Sequence, residues 1–173
     1  MTQITSETAR EFFKDDDPSV GYNRLWFNMM RVHRNLYPQI AKALKAHGLA
    51  DPIWYEILLH IHRGGPTGKL MSQIETELYL PQYALSRHVA RLEKAGFVRR
   101  EFIADGRRKQ VLFLTGQGIG LHDEVWTTYH NAMQDALSER LSEDEAYLMA
   151  RLLIKALPMP WEQNPAQTGE TAD

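Results

Sequence analysis

The 173-residue chain contains no cysteine. That absence excludes disulfides, thiolate metal sites and cysteine-based redox sensing, and it fits a reducing, cytoplasmic setting. No apolar run reaches the roughly 18 residues that a membrane span needs. The N-terminal MTQITSETAREFF lacks a basic segment followed by an apolar one, so no signal peptide is expected. Enzyme signatures are also missing. There is no Gly-x-Ser-x-Gly, no His-Glu-x-x-His and no phosphate-binding glycine loop. The GQGIG run at 116–120 follows a strand and opens a helix, but it lacks the glycine spacing and the βαβ context of a nucleotide site. The expectation is a non-enzymatic protein without a cofactor and without a membrane partner.

What is present is a core-forming composition, 43% hydrophobic and 24% charged, with an uneven charge distribution. The net charge is −2, yet Pro66 to Thr115 carries nine Lys or Arg against five acids. A basic segment of this kind inside an acidic chain suggests a local surface for a polyanion.

Hydrophobic spacing gives the order of elements. Residues 1–19 read as an N-terminal arm, with Asp17-Pro18 as the N-cap and first position of a helix. Leu25, Met29, Val32 and Leu36 recur at helical spacing and continue to Gly48, with a kink or break expected at Pro38. Asp51-Pro52 starts a second helix, which ends at Gly64-Gly65-Pro66. A short third helix is expected over 69–77, and a fourth runs from Pro81 to Ala95 before Gly96. The period then changes to two. FVRREFI and QVLFLT flank Asp105-Gly106, a hairpin signal. A long helix is expected from about Ile119, and Ser142 with Glu145 forms a capping box for a last one. The tail, 158–173, reads as disordered. The fold class is therefore mainly α with a small β element: a winged helix-turn-helix over 49–115, flanked by long terminal helices over 20–48 and 116–157. Those flanking helices carry more apolar surface than a centre of this size covers, which predicts dimerisation.

Two devices in this order point to DNA. On the fourth helix Leu85, Val89 and Leu92 form a stripe for burial. The opposite face carries Gln82, Tyr83, Ser86, Arg87 and Arg91. Arg87 suits the two acceptors of guanine and Gln82 suits adenine, whereas Ser86 and Tyr83 can donate to phosphate. Arg107, Arg108 and Lys109 follow at the hairpin, where a cation suits phosphates or a narrow minor groove. Asp105 is placed to cap the turn and to orient Arg107 or Arg108.

The stretch LSRHVARLEKAGFVRREFIADGRRKQVLFLTGQG resembles the MarR family of bacterial transcription regulators. The resemblance rests on the Ser-Arg pair, RLEKAGFV, the Asp-Gly-Arg-Arg wing and the Leu-Thr-x-x-Gly leading into a long helix, and it covers about residues 20–157. It implies a homodimer with interlocked terminal helices, reading an inverted-repeat operator in double-stranded DNA. It also implies a repressor released by a small aromatic or phenolic ligand. Many members have a longer wing with a second Asp, so either Arg107 or Arg108 is a candidate for the minor groove.

The resemblance also implies a ligand pocket lined from the first, second and fifth helices; Trp26, Met30, His33, Trp54, Tyr55, His60 and Trp126 are the candidate lining there, with His33 or Arg34 for a carboxylate, while the same residues at helical spacing also read as core. No metal site is expected. His60 and His62 lie on different faces of their helix, and no acidic set completes a site around His122 and His130. The alternative to a DNA-binding regulator is a winged-helix module for protein–protein assembly.

Overall fold

The computed structural model describes residues 6–49, 51–105 and 107–158, with the side chains of 6–9 and 104–108 outside the description. Two compact units are formed, residues 1–39 and 40–173. The elements are α1 (Ser6–Phe13), α2 (Val20–Lys45), α3 (Pro52–Arg63), β1 (Lys69–Leu70), α4 (Met71–Leu78), α5 (Gln82–Lys94), β2 (Val98–Asp105), β3 (Arg107–Leu114), α6 (Gly116–Ser138) and α7 (Glu143–Lys155).

In the first unit, the N-terminal arm contains a helix, α1, that apolar spacing did not announce. Arg24 on α2 grips Asp15 through two bonds of 2.6 Å, and its guanidinium lies 4.5 Å from the centre of the Phe13 ring. The hydrogen bond from Arg24 holds the Asp15 carboxyl below its usual range. Asp17 makes the side-chain bond of a capping residue at the entry to α2. Its carboxylate accepts from the backbone and hydroxyl of Ser19 at 2.8 Å, its carbonyl accepts from the Val20 amide at 3.2 Å, and slightly later than Pro18 suggests the regular helix begins at Val20. Pro38 does not interrupt the helix, which is continuous to Lys45.

The second unit holds the hydrophobic core. Ile57, Leu58 and Ile61 of α3 meet Ile74 of α4, Leu85, Val89 and Leu92 of α5, and Leu112 of β3, all essentially inaccessible to solvent. The stripe read on α5 is thus its buried face. Asp51 caps α3 as expected, accepting from the Ile53 amide at 3.1 Å with Pro52 at the first turn. The third helix starts two residues later than spacing suggests, because Lys69 and Leu70 form a short strand opposite Leu112 and Val111. β1, β3 and β2 make an antiparallel sheet in that spatial order. Between α4 and α5 the chain turns at Tyr79, whose backbone is left-handed (φ 52°), and Pro81 then enters α5.

The join between sheet and α6 is locked by one hydroxyl. Thr115 caps α6 by accepting from the Gly118 amide at 3.0 Å, and its Oγ1 donates to the Gly96 carbonyl at 2.6 Å. Gly118 must be glycine, since a Cβ there would collide with the Phe97 carbonyl oxygen. α6 therefore begins at Gly116 rather than near Ile119. The Ser142–Glu145 capping box is present as read, and Glu145 is held below its usual pKa by its bonds to Ser142.

Candidate nucleic-acid interface

α5 presents the expected polar face. Gln82, Tyr83, Arg87, Ala90, Arg91 and Lys94 are exposed, and Ser86 is half-buried. The packing that buries Leu85, Val89 and Leu92 orients this face outward. Arg87 lies over the Tyr83 ring one turn earlier, 5.7 Å from its centre. Among the described residues, Arg87, Arg91 and Lys94 have no carboxylate partner. The N-cap position of α5 is Pro81, which offers no side-chain acceptor, so the first amides of the helix are uncapped.

Other cations in the basic segment are already committed inside the protein. Lys69 pairs with Glu77 at 2.7 Å. Arg99 pairs with Glu101 and lies over the Phe113 ring. Arg100, half-buried, bonds Glu93 of α5 at 2.8 Å and Gln110 of β3 at 2.9 Å. It ties the base of the wing to the helix beside it. Sequence reasoning counted Arg100 only as one more positive charge. Its partners lie seven and ten positions away on other elements, so no periodic signal pairs them.

The wing is longer in strand than the hairpin motif suggests. β2 runs to Asp105 and β3 begins at Arg107, with Asp105 opposite Arg107, Ala104 opposite Arg108 and Ile103 opposite Lys109. The three cations thus sit on the strand that leaves the turn, and Lys109 is exposed. The side chains of Asp105, Arg107 and Arg108, and so their expected interplay, lie outside the described residues.

The expected ligand-contact residues fall in both units. In the first, Trp26 is 57% exposed, Met30 is half-buried and the His33 ring contacts Tyr37. In the second, Tyr55 is a core residue with no exposed surface, packed between the rings of Tyr129 and His122. Burial pushes its phenol up to about 12. It supports the core rather than offering a free surface to a ligand. Trp126 is 44% exposed and leans on His130. His60 is held by Glu77 at 2.6 Å, with burial lowering its pKa. Trp54 is half-buried and donates from Nε1 to Nδ1 of His88 on α5, at 3.2 Å. His88 was not singled out from the sequence, because it sits between the buried and exposed faces of its helix.

A MarR family sequence model matches residues 40–109, the region that contains α3 to α5, β2 and the start of β3. The match covers less than half of the chain, and it falls on the helix-turn-helix and the wing. The HTH-type transcriptional regulator PecS of Dickeya dadantii is 32% identical over 99 residues, a stretch that spans 57% of this chain and 60% of PecS. AbsC, a MarR family transcriptional regulator from Streptomyces coelicolor, superimposes with a TM-score of 0.70 at 25% identity, over 78% of this chain and 90% of AbsC. Sco3205 from the same organism, solved in complex with DNA, gives 0.72 at 21% identity, over 82% of this chain and 91% of its own. The winged helix-turn-helix architecture read from the sequence is the fold shared with these MarR-family structures. Among the described residues, no helix is long and apolar enough to cross a membrane.

Proposed function

We propose that this chain is a homodimeric, sequence-specific DNA-binding transcription regulator, acting as a repressor of an inverted-repeat operator. The observation that carries the reading is the division of cations around α5. Lys69, Arg99 and Arg100 are paired within the protein, while Arg87, Arg91 and Lys94 line one exposed helix face without carboxylate partners among the described residues. A helix that keeps its cations unpaired on a rigid, well-packed lobe suits a groove lined by phosphates. In this reading Gln82, Tyr83, Ser86, Arg87 and Arg91 contact the duplex from α5. Arg107, Arg108 and Lys109 contact it from the wing, with Asp105 orienting the turn. The relatives that were solved with DNA have the same fold.

Dimerisation is supported by α7, where Leu148, Met149, Leu152, Leu153 and Ile154 are each more than a third exposed. That much apolar surface on one helix calls for a covering partner. Release by a small aromatic ligand is supported by Trp54, a half-buried indole bonded directly to the DNA-facing helix. A ligand that binds the two states of this contact unequally shifts DNA affinity by that difference.

The test is binding to promoter fragments from the flanking genomic DNA across a salt series. Expected is a specific shift whose affinity falls steeply with salt, because each phosphate contact releases counterions. Arg87→Ala should relax specificity at particular base pairs, by about 1–3 kcal/mol each. Replacing Arg107 and Arg108 together by Ala should weaken binding to all sequences and flatten the salt slope. A salt-insensitive protein partner, with no fragment shifted, would favour an assembly module instead.

A further inference from the structure

His62 at the end of α3, and His122 and Asp123 on α6, come together in the second unit. Each offers one donor atom, and the three atoms lie within 4.8 Å of one another. The two imidazoles face each other, with ring centres 4.1 Å apart and planes 20° from parallel. His122 Nδ1 is 3.2 Å from Asp123 Oδ1. We propose that this cluster is a binding site for a divalent transition-metal ion of the zinc class.

Three observations carry the assignment. First, His122 is 7% exposed, and its Nδ1 already lies 3.2 Å from the Asp123 carboxylate, so a nearly buried imidazole is held beside an anionic oxygen. Second, the donor set is chemically selective. Two imidazoles and one carboxylate suit zinc and its first-row neighbours, whereas magnesium and calcium prefer sites made of oxygen alone. Third, one ligand is fixed and two are adjustable. His122 is clamped between the Tyr55 and His62 rings, while His62 and Asp123 are exposed and leave an entry path from solvent. A tetrahedral ion with bonds near 2.1 Å holds its donors roughly 3.4 Å apart. His122 Nδ1 and Asp123 Oδ1, 3.2 Å apart, are already near that spacing, and the exposed His62 ring would turn out of its stack to bring its lone pair to the same point.

Spacing along the chain hides this cluster. His62 and His122 are sixty residues apart and meet only because α3 packs against α6. The other histidines nearby are otherwise engaged. His60 is bonded to Glu77, and His47 to Glu124 and Thr128.

The test is calorimetric titration of the full chain with Zn²⁺ after removal of metal by chelator. Expected is one ion per chain, with at least a tenfold loss of affinity in both His62→Ala and Asp123→Ala. His130→Ala, outside the cluster, should leave the affinity unchanged. Both informative variants change exposed residues, so folding, checked by circular dichroism, should be retained. Co²⁺ should give a visible d–d spectrum that His62→Ala alters. Absence of stoichiometric Zn²⁺ binding would overturn the proposal, as would equal affinity in the His62 variant or equal binding of Mg²⁺. None of these outcomes depends on whether the chain binds DNA.

Discussion

The indole of Trp54 donates to His88 Nδ1 across the gap between α3 and α5. An indole N–H can only donate, so Nδ1 must be the accepting nitrogen, and the neutral ring carries its proton on Nε2. Burial lowers the His88 pKa, and Arg91 and Arg87 lower it further, while Asp51 opposes them. A histidine that is depressed in the folded state is protonated more readily when unfolded. Its contribution to stability is therefore complete above the ordinary value near 6.5 and is lost as pH falls below it. Between pH 7 and pH 5 the wild-type chain should lose more stability than His88→Gln, whose amide oxygen can still accept from the indole. Urea midpoints at a series of pH values measure this, and parallel curves for the two proteins would remove His88 from the account.

Thr115 and Gly118 explain why a Leu-Thr-x-x-Gly stretch leads into the long helix. The threonine hydroxyl is both cap and cross-link, and the glycine admits the Phe97 carbonyl. Thr115→Ala should cost about 1–2 kcal/mol, the scale of a lost helix cap. Gly118→Ala should cost more, because the backbone must move to make room for the methyl group. Chemical denaturation ranks the two, and the reverse order would mean that the Phe97 strand end yields easily.

The Arg100–Glu93 pair can be weighed by a double-mutant cycle. Arg100→Met leaves Glu93 and Gln110 without their half-buried partner, a loss of about 1–3 kcal/mol. Glu93→Gln should cost less, and the double variant should fall short of the sum by the coupling energy. If the effects simply add, the contact contributes geometry without energy.

The apolar face of α7 gives a prediction about assembly. Leu152 is 54% exposed in the single chain, and Leu152→Glu places a charge in the middle of that surface. Under the homodimer proposal, light scattering should show the variant dissociating at concentrations where the wild type is paired. Unchanged mass would locate the interface elsewhere.

Much of this molecule is legible in its sequence because most of its signals are local. Asp51-Pro52, Ser142–Glu145, Gly96 and the Leu85–Val89–Leu92 stripe each act within one or two helical turns, and each appears where it was read. The errors lie where a local signal is overridden. Lys69 and Leu70 look helical until β3 recruits them by strand pairing, an interaction over some forty residues. Pro38 reads as a helix breaker, yet α2 continues past it to Lys45. The site divides in the same way. The exposed face of α5 follows from helical periodicity, whereas Arg100, His88 and the His62–His122 pair depend on which elements pack together.

The Arg100 tie has a consequence for how such a lobe can be controlled. Arg100 fastens the wing root to α5 through Glu93 and braces the two wing strands through Gln110, so helix and wing are tied as the two arms of one fork. A fork of fixed gauge cannot be detuned by bending one arm. Under the proposed function, a signal that weakens DNA binding would act on the fork as a whole rather than on one arm.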